Sequence, residues 1–257
     1  MRFKDASLRA TEGSSRRFLG IKFDECNVRD FAEFIIGSDQ SFIVVTPNVD
    51  HVVRYYDDRD FRKIYERMDY VVNDSRVLRL LSRICGEPLR NVVPGSDLTK
   101  TLVEKLSSTQ QQFAILGCDS AEVKEIVRRH DLHQGVFHIN PSYGFINNLA
   151  EVDSIVERCL KNEPMVYFVC LGSPQQELLA DRMKAAGVRG RFLCVGASLN
   201  FLSGSEKRAP VLVQLLCLEW LFRFVQSPGR LWRRYLLTCP RILGIAARSK
   251  VGELEKT

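Results

Sequence analysis

Short hydrophobic runs alternate with amphipathic stretches through the middle of the chain. Runs rich in β-branched and aromatic residues are typical of buried strands, and they occur at 42–46, 70–72, 112–116, 136–139, 165–171 and 191–195. Between them, apolar residues recur every three or four positions, which predicts helices over 49–67, 76–83, 97–107, 121–129, 152–161 and 175–186. Strands that alternate with helices form parallel βαβ units. We therefore predict an α/β fold, with a Rossmann-like parallel sheet flanked by helices.

Several of the predicted strands end at glycine or proline. These ends are Thr46-Pro47, Leu116-Gly117, Leu171-Gly172 and Val195-Gly196. Parallel α/β sheets bind ligands in the crevice outside the carboxyl ends of their strands. The loops that follow these strands are therefore predicted to form the functional rim. The sequence contains neither GxGxxG nor GxxxxGK[ST], so the dinucleotide fingerprint and the P-loop are both excluded.

The charge distribution divides the chain. Residues 207–250 contain nine Lys and Arg but one acid, Glu219, which makes this segment +8 although the whole chain is +6. Arginines interleaved with Leu, Trp and Phe are typical of interfacial amphipathic helices. Such a segment suits a nucleic acid, a phosphate-bearing substrate or an anionic membrane surface, and we favour the membrane. A packed helix with a solvated basic face stays open as the alternative.

The length of 257 residues fits one large domain or two small ones. We predict a polar, mobile N-terminal segment over 1–17, an α/β core over 18–205, and a basic amphipathic helical appendage over 206–257. Hydrophobic residues make up 45% and charged residues 26%, which favours a soluble globular protein over a disordered or fibrous one.

The cysteines favour a reducing compartment. None of the eight lies in a CxxC pair, and most lie in apolar stretches, which predicts buried thiols rather than a zinc or redox site. The N-terminus lacks the apolar region of a secretory signal, and no uncharged apolar run reaches the length of about 18 residues that a bilayer span needs. We expect a cytoplasmic protein.

Two polar clusters follow predicted strands. Thr46-Pro47-Asn48 opens a predicted helix, with Thr46 as a candidate cap and Pro47 at the first helical position. Asp74 lies just before the next predicted helix and is either a general base or the N-cap of that helix. Its local sequence alone favours the cap.

Metal binding is not predicted. Asp58-Arg59-Asp60 has the DxD pattern that holds divalent cations in many nucleotide-sugar enzymes, but its charged surroundings are typical of an exposed helix face. The four histidines form neither HExxH nor a Ser-His-Asp signature. We expect neither a metal nor a cofactor.

An ordered series of motifs over about residues 18–236 resembles one family, the bacterial glycosyltransferases of the WecG/TagA/CpsF group, which act in teichoic acid, enterobacterial common antigen and exopolysaccharide assembly. Thr46-Pro47-Asn48 and Pro94-Gly95-Ser96-Asp97-Leu98 carry the likeness in the N-terminal half. The more specific motifs are Gly172-Ser173-Pro174-Gln175-Gln176-Glu177, Val195-Gly196, Phe201-Leu202-Ser203-Gly204, Lys207-Arg208-Ala209-Pro210, Glu219-Trp220, Arg223 and Pro228-Gly229-Arg230-Leu231-Trp232-Arg233-Arg234-Tyr235.

The resemblance implies an inverting, metal-independent transfer of a sugar from a UDP-sugar to a sugar on a polyprenyl diphosphate, at the inner membrane face. UDP-glucose, UDP-ManNAc and UDP-ManNAcA are the candidate donors. Asp74 would be the general base, and Thr46, Asn48 and Gln176 would position the sugar. The donor would be bound by Gly117, Phe145, Gly172, Gly196 and Asn200, and Phe145 would stack on its base. The diphosphates would be bound by Arg208, Arg223, Arg230 and Arg234.

Two positions depart from the family pattern. The common Asp-Gly is Asp74-Ser75 here, and Asn200 stands where an Asp often precedes the Phe of the Phe-Leu-x-Gly motif. An Asn can both accept from and donate to a uracil. These departures keep a catalytically inactive scaffold open as one alternative. A nucleic-acid-binding protein that uses the basic segment is the other. A homo-oligomer that buries the basic segment against a second copy stays open as the alternative to burying it in a membrane.

Overall fold

The computed structural model describes residues 15–109, 111–132 and 135–250. It begins with an antiparallel hairpin of strands β1 (Ser15–Phe18) and β2 (Ile21–Asp24). Leu19 and Gly20, at the turn, have φ of 48° and 68°, as a type I′ hairpin requires. Residues 15–17, assigned from the sequence to a mobile segment, therefore pair in a strand. The rest of that segment, 1–14, lies outside the described residues.

The central sheet has six strands, and all of its neighbouring strands are parallel. Its order is β4-β3-β8-β7-β5-β6, with β3 Phe42–Val45, β4 Tyr70–Val71, β5 Phe113–Gly117, β6 Phe137–Ile139, β7 Val166–Cys170 and β8 Arg191–Cys194. Each strand lies within a predicted run or overlaps it. The predicted parallel α/β fold is confirmed.

Helices cover both faces of this sheet. They are α1 Val28–Gly37, α2 Val49–Asp57, α3 Arg59–Tyr65, α4 Arg76–Cys85, α5 Gly95–Ser108, α6 Ser120–Arg129, α7 Leu149–Asn162, α8 Gln175–Ala185 and α9 Ser198–Ser203. Side chains of β3 alternate between two hydrophobic clusters, with Ile43 and Val45 on one face and Phe42 and Val44 on the other. A sheet buried on both faces explains why its strands are continuously apolar.

The single helix predicted over 49–67 is wrong, because the chain turns at Asp58. Its backbone is extended, and its side chain accepts hydrogen bonds from Asp60 N and Phe61 N at 2.9 and 3.0 Å. A short polar side chain that bonds the following amides caps a new helix instead of continuing the old one. Asp58 of the DxD pattern is therefore an N-cap, while exposed Asp60 pairs with Lys63.

The basic C-terminal segment is helical, as predicted. It contains α10 Val211–Leu215, α11 Glu219–Gln226, α12 Pro228–Trp232, a π-helical turn Arg233–Thr238 and α13 Arg241–Lys250. Helix α13 returns to the core, where Ile242 and Ala246 join the same hydrophobic cluster as Val52 and Leu78. Residues 251–257 of the predicted appendage lie outside the described residues. No helix in the described ranges has the length and apolar character needed to cross a bilayer.

Candidate active site

Three polar side chains from different parts of the chain surround Gly95 at the start of α5. A Cβ placed on this glycine would lie 3.0 Å from Ser198 Oγ, 3.1 Å from Thr46 Oγ1 and 3.7 Å from Asp74 Oδ1. Thr46 and Asp74 follow β3 and β4, and Ser198 follows β8. The predicted rim at the carboxyl ends of the strands therefore brings a carboxylate and two hydroxyls around a space that a side chain at position 95 would narrow.

Asp74 does not cap α4. Ser75 does, with its hydroxyl accepting from Leu78 N at 3.2 Å. Asp74 instead accepts a hydrogen bond from Gly95 N at 2.7 Å through Oδ1, and its own N–H donates to Pro47 O at 3.1 Å. The cap interpretation is wrong, because the carboxylate turns away from its own helix and satisfies the free amide at the start of α5.

The surroundings of Asp74 favour its protonated form. Burial is the largest effect and raises the pKa of Asp74 above its usual value, and the charge of Glu219 adds to this rise. The Gly95 N–H, Arg223 and His51 act in the opposite direction without cancelling it. A carboxylate whose pKa is raised binds a proton more tightly, as a general base requires.

The cap of α2 is Asn48, not Thr46 as predicted. Thr46 is buried, and its hydroxyl donates to Cys194 O at 3.3 Å, so it links β3 to β8 and caps nothing. Asn48 is the N-cap of α2, where its Oδ1 accepts from Asp50 N at 3.1 Å. Pro47 stays outside the helix. The prediction of Thr46 as cap and Pro47 as first helical residue is wrong by two positions.

Gln176 lies beneath the rim. Its side chain is buried, Oε1 accepts from Gly196 N at 2.9 Å, and Nε2 donates to Glu177 Oε1 at 2.9 Å. Both ends of the amide are thus used inside the protein. Gln176 supports the loop after β8, and its predicted contact with the sugar finds no support in this geometry.

The predicted donor-binding glycines differ in their surroundings. Gly117 has a φ of 102°, and a Cβ there would lie 2.5 Å from Cys170 O, so this glycine allows β5 and β7 to approach. Gly172 is exposed, with nothing within 4 Å of a Cβ. Gly196 has a φ of 55°. Asn200 lies on α9 and accepts a weak bond from Cys118 Sγ at 3.9 Å.

Phe145 does not reach the site. It lies in a 3₁₀ turn, Phe145–Asn147, is 2% exposed, and packs in the hydrophobic cluster that contains Val152 and Ile155. Because its ring is buried in this cluster, Phe145 is not available to stack on a nucleotide base, and the predicted stacking is wrong. Tyr143, two residues earlier, is fully exposed.

Three of the four predicted arginines converge on the rim. Arg208 binds both carboxylate oxygens of Asp97 in the first turn of α5. Arg223 lies 3.6 Å from Glu219, stacks over Phe201 with its guanidinium 4.9 Å from the ring centroid, and lowers the pKa of Asp74.

Of the other two arginines, Arg234 lies at the rim and Arg230 lies outside it. Arg234 donates to Asn48 Oδ1 at 2.9 Å, which ties the C-terminal segment to the start of α2. Arg230 is exposed and donates to Glu206 at 2.8 Å, farther along the segment. The structure therefore places Arg208, Arg223 and Arg234 near the rim, with Arg230 outside it.

A sequence model of the glycosyl transferase WecG/TagA/CpsF family matches residues 16–256. The chain belongs to this family. It is a glycosyltransferase, as the motifs over 18–236 predicted. Several similar proteins, including the three described next, carry the name N-acetylglucosaminyldiphosphoundecaprenol N-acetyl-beta-D-mannosaminyltransferase. The Bacillus spizizenii protein is 24% identical over 203 residues, which cover 78% of this chain and 77% of the relative. The Bacillus subtilis protein is 23% identical over 221 residues, which cover 84% of this chain and 85% of the relative. The Staphylococcus aureus strain MW2 protein is 24% identical over 222 residues, which cover 84% of this chain and 86% of the relative.

Sequence reasoning missed several residues of the candidate site. Gly95 and Asp97 were assigned to a turn with a cap, and Ser198 was not singled out. His51 lies 3.1 Å from Asn48, and Glu177 lies fully buried beside Gln176. The reciprocal capping contact of Asn48 and His51 is visible only in the structure, because the usual sequence signal has Glu or Gln in place of His51.

No three His, Cys, Asp or Glu side chains come together as a metal-binding group within 15–109, 111–132 and 135–250. All eight cysteines are unpaired thiols. Metal independence of the glycosyltransferase stays a prediction.

Proposed function

We propose that this glycosyltransferase moves a sugar from a UDP-sugar to a sugar carried on a polyprenyl diphosphate, with inversion and without a metal. The names of its relatives describe transfer to an N-acetylglucosamine on diphosphoundecaprenol, which supports the acceptor class. They also make UDP-N-acetylmannosamine the first donor to test, ahead of UDP-glucose and UDP-N-acetylmannosaminuronic acid.

The grouping of Asp74, Thr46 and Ser198 around Gly95 carries this proposal. Asp74 is the only ionisable member of this group, and its pKa is raised by burial. Gly95 N–H holds Oδ1, which leaves Oδ2 to act as the base. The two hydroxyls lie on the other sides of the same space. Their protons are donated to Cys194 O and Val195 O, so they suit accepting hydrogen bonds from sugar hydroxyls.

The proposed reaction is a single displacement. Asp74 takes the proton of the acceptor hydroxyl as that oxygen forms a bond to the anomeric carbon of the donor sugar. The bond between the anomeric carbon and the β-phosphate oxygen breaks on the opposite face, and its electron pair leaves with UDP. Attack opposite the leaving group inverts the anomeric configuration.

The leaving UDP needs positive charge, and arginines supply it in this proposal. Arg223 already acts on Asp74 electrostatically, and Arg234 reaches Asn48 at the opening of α2. Arginine binds phosphate oxygens through two parallel N–H groups, so it can stabilise a diphosphate where other enzymes use a divalent cation. Arg208 and Arg230 would join them after exchanging their carboxylate partners for phosphate.

The C-terminal segment is proposed to lie on the inner face of the membrane. Helices α10 to α13 expose many large apolar side chains among their arginines: Val211, Leu212, Leu215, Leu216, Val225, Leu236, Leu237 and Leu243. Exposed apolar side chains beside basic ones suit an anionic lipid surface, where each basic residue contributes about 1 kcal/mol. The lipid-linked acceptor would then meet the enzyme at its own membrane.

UDP release tests the proposal. Purified protein on anionic liposomes would receive a panel of UDP-sugars, a synthetic polyprenyl-diphosphate monosaccharide and EDTA, with Asp74→Asn run alongside. We expect release with one donor, dependent on acceptor, resistant to EDTA and lost in the variant. Asp74→Asn with full turnover would remove Asp74 as the base.

Two other results would redirect the assignment. No release from folded, liposome-bound protein with any donor or acceptor would favour the inactive scaffold. Steep salt-dependent binding to duplex DNA, with a log–log slope near −0.9 per phosphate contacted, would favour the nucleic-acid alternative.

A further inference from the structure

Glu177 is a buried carboxylate that lies beneath the rim without forming part of it. It is fully buried on α8, and its Oε1 lies 2.9 Å from Gln176 Nε2 and 3.5 Å from His51 Nε2. Burial raises the pKa of Glu177, but hydrogen bonds and charge from His51, together with Gln176, outweigh this effect and leave the pKa below its usual value. An ionised carboxylate accepts hydrogen bonds only, so Nε2 of His51 carries a proton.

A chain of contacts through His51 and Asn48 connects Glu177 to the C-terminal segment. His51 Nδ1 lies 3.1 Å from Asn48 Oδ1 and 3.4 Å from Asn48 N. Asn48 Oδ1 accepts from Arg234 at 2.9 Å. With its proton on Nε2, facing Glu177, His51 accepts the Asn48 N–H through Nδ1. This bond holds Asn48 where Arg234 can donate to its Oδ1.

A second chain of contacts, through Gln176, connects Glu177 to the loop after β8. Gln176 donates to Glu177, which fixes the amide orientation of Gln176 and turns its Oε1 toward Gly196 N, 2.9 Å away. Gly196 lies two residues before Ser198, one of the hydroxyls beside Gly95. A single carboxylate oxygen thus organises two walls of the site.

We propose that Glu177 is a positioning residue for the transfer reaction: through His51 and Gln176 it holds both the Asn48–Arg234 contact and the Gly196 loop in the arrangement that the reaction needs. It is too deeply buried to touch substrate. This role rests on the proposed function. It is distinct from that of Asp74, because it works through hydrogen-bond geometry rather than proton transfer.

Two substitutions of similar size separate geometry from charge. Glu177→Gln keeps an oxygen acceptor for both His51 and Gln176, so we expect kcat/KM within about threefold of the parent. Glu177→Met keeps the volume and removes the acceptor, so we expect kcat, measured per folded protein, to fall about tenfold or more. A direct role in proton transfer would make the Gln variant as inactive as the Met variant, and would overturn the proposal.

A double-variant cycle tests the connection to the C-terminal segment. Arg234→Gln combined with Glu177→Met should lose less than the product of the two single losses, because both changes break the same chain of contacts. Arg241→Gln is the matched control, since Arg241 lies in the same segment but pairs with Asp57. Equal additivity for both arginines would contradict the proposal.

Two measurements need no activity. Imidazole ¹⁵N spectra should show His51 Nε2 protonated in the parent and in Glu177→Gln, with a changed signal in Glu177→Met, and His51→Gln assigns the resonance. Amide exchange at Gly196 should be about tenfold faster in the Met variant and unchanged in the Gln variant. An unchanged His51 signal and an unchanged Gly196 rate in Glu177→Met would overturn the proposal. If the parent transfers no sugar, the proposed function fails, while these two measurements still decide whether Glu177 holds both contacts.

Discussion

Arg208 forms a bidentate ion pair with Asp97, two residues after the glycine at the centre of the candidate site. Its Nη2 lies 2.8 Å from Asp97 Oδ2, and Nη1 bonds the other oxygen. The pair joins the start of the basic segment to the first turn of α5. An arginine predicted to bind diphosphate is thus already paired with a carboxylate. A substrate-binding role and a purely structural role for Arg208 lead to different expected kinetics.

Substitutions at both ends of this pair separate those roles. If Arg208 also binds a substrate diphosphate, Arg208→Gln should raise the KM for donor or acceptor about tenfold or more, whereas Asp97→Asn should change it by less than about threefold. Steady-state kinetics for both substrates provide the measurement. Equal effects of the two substitutions would show that the arginine acts only as a structural partner of Asp97.

Asp74→Asn should stabilise the fold while it abolishes transfer. The raised pKa means that folding disfavours the carboxylate, so ionisation of Asp74 costs stability as pH rises above the usual carboxyl range. The neutral amide avoids that cost, and its oxygen can still accept from Gly95 N. The stability gain of the variant should be absent below about pH 4 and should grow to a plateau as pH rises.

Urea unfolding from pH 3 to pH 8 measures this difference. A variant less stable than the parent at pH 7 would contradict the pKa direction, even if transfer were lost.

Gly95→Ala should fold and lose activity. The new methyl group would lie 3.0 and 3.1 Å from the hydroxyl oxygens of Ser198 and Thr46, tighter than an ordinary contact, and the backbone at Gly95 does not have a positive φ. We expect kcat/KM to fall about tenfold or more with little change in unfolding free energy. Gly37→Ala is the matched control, because nothing lies within 4 Å of its Cβ and the helix terminus tolerates alanine.

Gly117→Ala should be strongly destabilising instead. Its φ of 102° disfavours any other residue, and the Cβ would lie 2.5 Å from the Cys170 carbonyl oxygen on the neighbouring strand. We expect a loss of about 2 kcal/mol or more in the free energy of unfolding, measured by urea denaturation. A loss of donor binding without destabilisation would instead support the donor-binding role implied by the family resemblance.

Leu236→Ser combined with Leu237→Ser should weaken binding to anionic liposomes about tenfold or more, because two exposed leucines would lose their apolar contact with lipid. Flotation with anionic and neutral vesicles gives the measurement. Leu149→Ser is the control, since Leu149 is similarly exposed at the start of α7. Equal loss from the control, or a change of oligomeric state in place of lipid binding, would contradict membrane docking.

The central sheet could be predicted from hydrophobic pattern alone. A strand such as β3, with every side chain buried, is apolar along its whole length. This pattern is visible in the sequence whichever strands lie beside it. Most of the helices that pack on the sheet followed from the spacing of their apolar residues, but α1 and α9 were not predicted. The break at Asp58 was missed, because a charged residue on a helix face and a charged N-cap have the same local sequence.

The candidate site divides in the same way. Local motifs and the family resemblance singled out Asp74, Thr46, Asn48 and the arginines as candidates, since each lies in a distinctive run of residues. The hydrogen-bond partners depended on contacts between distant parts of the chain: Asp74 bonds Gly95, 21 residues away, and Arg234 bonds Asn48, 186 residues away.

The sequence by itself determined the six strands of the central sheet, most of the helices between them, the family, and the residue types available at the strand ends, because these depend on local spacing and composition. Only the tertiary structure decided which helix each polar residue caps, that Phe145 turns into the core, and that Glu177 lies beneath both walls of the site. These choices depend on burial and on the nearest donor or acceptor. Both arise when distant segments pack together and water is excluded between them.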